Sequence, residues 1–188
     1  MPNTLIIMKQ IGRNSMKKFG ILFLASLISL AAFSHPEVDS EQEGAFPFRI
    51  FFLSRKIKSH AVVEDRLIGR GAKKSKQYIR AQKLGELASD KKLIKYCESK
   101  SPTLRAYSYA LLCKRKDSHL LEILSEHQTD SVCIETFGGC IVSAMSVFEY
   151  MFYHFEELVE EGEYELTSEE QIIFTKLEDV YYEIECVE

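Results

Sequence analysis

After residue 34 the chain contains no asparagine, so it has no N-x-Ser/Thr acceptor for N-glycosylation. Tryptophan is absent throughout, and none of the 5 cysteines forms a C-x-x-C pair. The last absence argues against the common zinc and redox motifs. The sequence also lacks G-x-S-x-G, the P-loop, G-x-G-x-x-G and H-E-x-x-H. These absences predict a protein without a cofactor, without a bound metal and without catalysis of its own.

The first part of the chain has the pattern of a secretory signal peptide. Residues 16–18 are Met-Lys-Lys, and an uncharged apolar run follows over 19–33. The run is shorter than the roughly 20 residues needed to cross a bilayer core. Ala32 and Ser34 then place small residues at positions −3 and −1 of a cut before His35. The sequence therefore predicts an exported protein that is periplasmic, in the envelope or secreted, with membrane attachment only if the signal stays uncleaved.

These features divide the chain into three predicted parts. The signal peptide covers 1–34, and Met16 is an alternative start that would place 1–15 upstream of the translated chain. A flexible or weakly structured N-terminal arm covers 35–74, because its first residues are polar and acidic. A helical domain covers 75–188.

Charge is distributed unevenly along the chain. Residues 49–116 carry 19 Lys/Arg and 5 Asp/Glu, whereas 117–188 carry 1 and 19. This asymmetry indicates either a two-sided interaction surface or two halves that attract each other within one fold. The basic 70–95 stretch predicts a surface for anionic lipid, acidic glycan or nucleic acid, and a solvated helix face is the alternative. Nucleic acid is the least expected partner outside the cytosol. The candidate residues are Lys73, Lys74, Lys76, Tyr78, Arg80 and Lys83.

Apolar residues recur at helical spacing through most of the third part. Over 141–159 and 173–187 they alternate in steps of four and three, which predicts two long helices. Thr167 and Glu170 form a capping box before the second of these. Shorter helices are predicted over 75–88 and 90–99, from Pro102 onward, over 118–127 and from about 131 to 139, where two glycines would stop the last one.

The segment 101–111, SPTLRAYSYAL, resembles the start of a HEAT-type helical repeat. Leu104, Arg105 and Leu111 match the repeat pattern, and 130–132 resembles the entry into a following helix pair. The resemblance implies an all-α fold, a short right-handed α-solenoid closed by a C-terminal capping helix. It also implies a non-catalytic scaffold that binds another protein. A binding module for anionic surfaces is the alternative function, and an enzyme on a helical scaffold is the least supported.

All cysteines lie in the predicted helical domain, and their odd number leaves at least one thiol free. Cys133 and Cys140 are the nearest pair, so they are the candidate disulfide. His154 lies one helical turn from Glu157, but partial burial explains this histidine without a metal. A deep polar cleft around His154 or Cys140 would argue against the scaffold hypothesis.

Overall fold

A computed structural model describes residues 46–187, and the predicted signal peptide and residues 35–45 of the predicted arm lie outside this range. This range contains seven helices and four strands. They are α1 Phe46–His60, β1 Val62–Ile68, β2 Lys73–Lys74, α2 Lys76–Leu87, α3 Asp90–Cys97, α4 Pro102–Arg115, α5 Leu120–Glu126, β3 Cys133–Gly139, β4 Ile141–Ser146, α6 Val147–Glu160 and α7 Ser168–Glu183.

The four strands form one mixed sheet in the order β2-β1-β3-β4. β1 runs parallel to β3, while β2 and β4 are antiparallel to their neighbours. The predicted all-α fold, with its solenoid of HEAT-like repeats and its capping helix, is therefore wrong. The error arose at 133–146, because Ile141 and Met145 fit a helical step of four as well as the two-residue period of a strand. Gly139, with φ of +54°, turns a hairpin there instead of ending a helix.

The structure also places regular elements in the part of the predicted arm that it describes. Ile57 of α1 and Val63 of β1 are both buried in the core. Gln77 of α2 is buried beside them, and its amide donates to the Ile57 carbonyl at 3.1 Å. Residues 46–68 are therefore part of the same folded unit as the helices that follow.

The α4 helix lies at the centre of the core and contacts α3, α6, α2, α1 and β1. Ser101 caps its N-terminus, and Pro102 occupies its first turn, as the sequence indicates. Arg105, which matched the HEAT pattern, binds the Asp130 carboxylate through Nε at 2.7 Å and Nη2 at 2.8 Å. This arginine therefore holds α4 to the segment that precedes β3.

Two further contacts fix the C-terminal part of the chain. Phe152 of α6 stacks on Phe174 and Tyr181 of α7, with ring centroids 5.4 and 4.7 Å away. The structure pairs Cys133 with Cys186, not with the predicted Cys140. Cys140 lies in the hairpin turn, at the opposite end of β3 from Cys133, so the strand itself separates the predicted pair. None of the helices in 46–187 has both the length and the apolar character of a membrane-spanning segment.

Candidate functional site: a cleft between α6 and the sheet

A cleft of about 390 Å³ lies between α6 and the helix-facing side of the sheet. Val63, Thr136 and Ser143 stand opposite one another on β1, β3 and β4, so their side chains form one row on the floor. The helix wall consists of Tyr150, Tyr153, His154 and Glu157. The cleft is therefore a groove with a strand floor and a mostly polar helical wall.

Asp65 enters the cleft from an irregular part of β1. Asp65 follows Val63 by two residues, so strand alternation places it on the same side of the sheet, and the pairing with β3 shifts register between Glu64 and Ile68. Gly138 of β3 lies directly beneath, and a Cβ there would overlap the Asp65 carboxylate. Asp65 forms no ion pair within residues 46–187. The cleft thus contains a carboxylate that the fold does not neutralise.

His154 is held between two aromatic rings of its own helix. The ring centroids of Tyr150 and Tyr153 lie 4.6 and 5.6 Å from its imidazole, both in edge arrangements. Burial, helped by the nearby Lys114 ammonium, lowers the pKa of His154 to about 4, although Asp65 acts in the opposite direction. At neutral pH the imidazole is therefore uncharged and carries one hydrogen-bond donor and one acceptor.

The cleft continues past His154 into a smaller recess of about 140 Å³, which also includes Asp65 and Tyr150 in its lining. Lys114 of α4 enters this recess, with its Nζ 5.1 Å from the centroid of the Tyr78 ring and 3.4 Å from the Tyr78 hydroxyl. Such an arrangement is a cation–π contact. Asp65 therefore lines both the cleft and the recess, and the lysine in the recess already has an aromatic partner.

The residues predicted to bind an anion lie on β2 and α2. Lys73 and Lys74 form the short edge strand β2, and Lys76 and Lys83 are exposed on α2. Tyr78 contacts Lys114 in the recess, whereas the Arg80 guanidinium donates to Gln77. Residues two apart on a helix point in nearly opposite directions, so Tyr78 and Arg80 do not share one face. Tyr78 also lines a pocket with Lys74 and Arg66, so it accompanies one of the predicted lysines there.

Two of the three free cysteines in the described residues, Cys97 and Cys113, are buried, and Cys140 is exposed. Burial raises the pKa of the Cys97 thiol to about 12 and that of Cys113 further, so both stay protonated. The Glu157 carboxylate lies 3.7 Å from His154 Nδ1, and no hydrogen bond within 46–187 joins His154 to a serine, threonine or cysteine. Residues 46–187 also contain no group of three or more His, Cys, Asp or Glu that could hold a metal ion.

A free strand edge borders the cleft. The Val147 amide donates to the Val132 carbonyl at 3.0 Å, and hydrogen-bonded pairs alternate along an antiparallel ladder. The 134/145, 136/143 and 138/141 pairs are therefore the bonded ones, and the backbone groups of Val142 and Ala144 point away from β3. No strand of the described chain pairs with that side of β4. This edge was missed because 141–146 was predicted to be helical.

One sequence signal could have revealed the edge. Ser146 and Glu149 form a complete capping box, so α6 begins at Val147 and the residues before it are free to be a strand. No comparable signal links Asp65, Lys114 and His154, which come from β1, α4 and α6. In comparisons with protein families, with curated proteins and with solved structures, no match to this chain was found.

Proposed function

We propose that this protein is a non-catalytic binding protein that takes up an extended segment of another protein. The segment adds to the sheet along β4 and places a basic side chain in the cleft. The observation that carries this proposal is the position of the cleft beside a strand edge whose outward backbone groups, at Val142 and Ala144, are unpaired within residues 46–187.

The composition of β4 supports strand addition. Edge strands in natural proteins are usually protected by charged residues, proline, a bulge or very short length. β4 is six residues long and reads IVSAMS, with no charge and no proline. Ile141 and Val142 are 70 % and 57 % exposed. In strand addition the main-chain hydrogen bonds provide affinity, and pockets for alternate side chains provide specificity.

The charges in the cleft favour a basic side chain in the bound segment. Asp65 and Glu157 are carboxylates at the open part of the cleft, and neither has a lysine or arginine partner within 46–187. His154 is neutral at pH 7 and adds no positive charge. The negative potential of these two carboxylates therefore favours a lysine or arginine over a glutamate in the bound segment.

We also propose, as the sequence predicts, that the protein acts after export. The Cys133–Cys186 disulfide supports this, because structural disulfides persist in oxidising compartments and are rare in the cytosol. The N-terminal residue of the protein isolated from its native cells tests the point. We expect the mature chain to begin at His35, and an intact Met1 or Met16 in that material would contradict export by cleavage.

The binding proposal is tested with fluorescein-labelled peptides of alternating threonine and valine that differ only in a central lysine or glutamate. Fluorescence anisotropy measures their affinity for the full chain. Ala144→Pro removes an outward amide without breaking the ladder to β3, and Ala144→Val is the matched control because it keeps that amide. Asp65→Asn and Glu157→Gln test the charge preference.

We expect the lysine peptide to bind more tightly than the glutamate peptide. Asp65→Asn together with Glu157→Gln should remove that difference in affinity. Ala144→Pro should abolish binding, while Ala144→Val should keep it. Equal affinity for both peptides in the unmodified protein would refute the assigned charge preference. Binding that survives Ala144→Pro would refute strand addition. A dimer of the unmodified protein that Ala144→Pro converts to a monomer, with no peptide binding, would show that a second copy occupies the edge.

A further inference from the structure

The α1 helix has a second side that the fold leaves in water. Ser54 and Ile57 face the core, whereas Phe48, Phe51 and Phe52 are 64 %, 54 % and 43 % exposed on the other side. The three rings contact one another, with centroids 4.6 Å apart for Phe48 and Phe52 and 5.8 Å apart for Phe51 and Phe52. We call these three residues the phenylalanine face. Contiguous exposed apolar side chains of this kind mark an interaction site.

Charges of a single sign surround the phenylalanine face. Arg49, Arg55, Lys56 and Lys58 are all exposed on α1, and no aspartate or glutamate occurs between residues 46 and 63. Arg55 follows Phe51 by four residues and Phe48 by seven, so it lies on the same side of the helix as the rings. The surface thus combines aromatic rings with cations and lacks the acidic residues that balance most protein surfaces.

We propose that α1 docks in the plane of an anionic lipid bilayer surface, with its phenylalanine face between the headgroups and the acyl chains. A helix of this composition, apolar aromatic on one side with lysine and arginine beside it, is typical of interfacial anchors. Long basic side chains can keep their charges at the phosphates while their stems follow the apolar boundary. This contact is separate from the peptide site at β4 and does not depend on the predicted signal peptide.

The geometry of the rings favours a bilayer over single-stranded nucleic acid. Successive bases stack on flat aromatic platforms. The ring planes of Phe48 and Phe51 instead make angles of 71° and 76° with that of Phe52, so the three rings form a wedge without parallel faces. A wedge suits insertion among headgroups, where the rings need only be removed from water.

A groove beside α1 extends the proposed lipid surface. It has a volume of about 650 Å³, lies between α1 and α3, and is lined by Ile50, Phe51 and Tyr96 among others. Lys92 lies in its lining, with Nζ 5.1 Å from the centroid of the Tyr96 ring. A lipid could therefore place its phosphate at Lys92 and part of its acyl chain against Ile50.

The absence of tryptophan from the chain allows a site-specific test. Phe51→Trp places the only tryptophan on the proposed lipid surface. Ile79→Trp places it on α2, within the basic 70–95 stretch, and Tyr182→Trp places it on the exposed side of α7. Each variant is the mature chain from His35 that the proposed export would produce, so the apolar run 19–33 is absent from all three. Emission is recorded with vesicles of phosphatidylcholine alone and with added phosphatidylglycerol, with and without brominated lipid as quencher.

We expect a blue shift and quenching of the Phe51→Trp emission on vesicles that contain phosphatidylglycerol, and neither change in the two other variants. No change at position 51 would overturn the proposal, and so would an equal change on phosphatidylcholine alone. A change at 79 but not at 51 would move the lipid surface to α2. A blue shift at 51 without vesicles, dependent on protein concentration, would assign the face to self-association instead. A shift at 51 produced by a single-stranded oligonucleotide and not by vesicles would assign it to nucleic acid.

Two double variants test how much the lysine charges of α1 contribute to vesicle binding. A basic residue at an anionic membrane surface changes affinity by about fivefold, so Lys56→Gln with Lys58→Gln should weaken vesicle binding by about 25-fold. Lys73→Gln with Lys74→Gln removes the same charge from β2 and should leave the affinity unchanged. Equal losses in both double variants would overturn the assignment to α1.

Discussion

Removal of the Cys133–Cys186 disulfide should destabilise this protein strongly. The bond joins the start of β3 to the segment after α7, across 53 residues of sequence. Beside it Val187 donates to the Ser131 carbonyl at 2.7 Å, and Cys133 donates to the Val187 carbonyl at 3.1 Å. The proposed change is Cys133→Ser together with Cys186→Ser, which leaves no new free thiol at either position.

The magnitude follows from the length of the closed loop. In the chain-entropy treatment, a cross-link across a loop of about 50 residues stabilises the folded state by about 4 kcal/mol, because it restricts the unfolded chain. Domains of this size are stable by only about 5–15 kcal/mol. The double variant should therefore lose between about a quarter and four-fifths of the original free energy of unfolding, and its C-terminal segment should separate from Val132 first.

Urea unfolding followed by circular dichroism measures the effect. Cys140→Ser is the matched control, since this thiol is exposed and unpaired in the structure and its replacement should leave the free energy of unfolding unchanged. Reductant should lower the stability of the unmodified protein by a similar amount and leave the double variant unaffected. A loss below about 1 kcal/mol in the double variant, or an equal loss in Cys140→Ser, would refute the pairing of Cys133 with Cys186.

Three further predictions concern stability and use the same unfolding measurement. Arg105→Met leaves the Asp130 carboxylate, which is 12 % exposed, with only the His127 ring at 3.3 Å as a partner and should cost about 3 kcal/mol. A loss below about 1 kcal/mol would contradict the buried ion pair. Because the pKa of His154 is lowered to about 4 from 6.5, only the unfolded state takes up this proton between those values. Stability should therefore fall by up to about 3 kcal/mol as pH drops from 6.5 to 4, and His154→Gln should remove that part of the pH dependence. Gly85→Ala would place a Cβ 2.6 Å from Leu111 Cδ2, and this overlap should lower the free energy of unfolding by about 1–3 kcal/mol. The higher helix propensity of alanine should offset about 1 kcal/mol of that loss. A variant more stable than the unmodified protein would contradict this close packing.

The helices that carry their own start signals could be predicted from the sequence. Ser75, Ser101 and Thr167 each cap a helix through a side-chain oxygen, and α2, α4 and α7 begin within a residue of the predicted positions. Such signals are local, since a cap and a periodic apolar face lie within a few turns of each other. Local information is therefore sufficient for these elements.

The strands could not be predicted in the same way. β1 begins with Val62 and Val63 but continues with glutamate, aspartate and arginine, residues that are depleted or uncommon in strands. It is stabilised by parallel pairing with β3, which lies about 70 residues further along the chain. In β3 and β4, the pair Gly138 and Gly139 was interpreted as a helix stop, although two glycines equally suit a hairpin turn. Only the capping box at Ser146 distinguishes these interpretations.

The cleft depends on the same long-range pairing. Asp65 enters it where β1 and β3 shift register, and Gly138 leaves room for the carboxylate because it has no side chain. His154 belongs to a helix whose start is set by Ser146, at the end of the strand that forms the cleft rim. The local sequence around each of these residues does not indicate a site, because the site forms only once β1 and β3 are paired.

The uneven charge of the chain has a physical consequence in this fold. The β1–β3 pairing joins the basic half to the acidic half, and the ion pairs of Arg105 with Asp130 at 2.7 Å and Lys116 with Glu163 at 3.4 Å cross between them. Mutual attraction of the halves therefore accounts for part of the asymmetry. It does not account for α1, whose four lysines and arginines are all exposed and form no ion pair within residues 46–187. Because like charges at neighbouring positions of a helix repel one another, an anionic partner as proposed above would reduce the repulsion within α1.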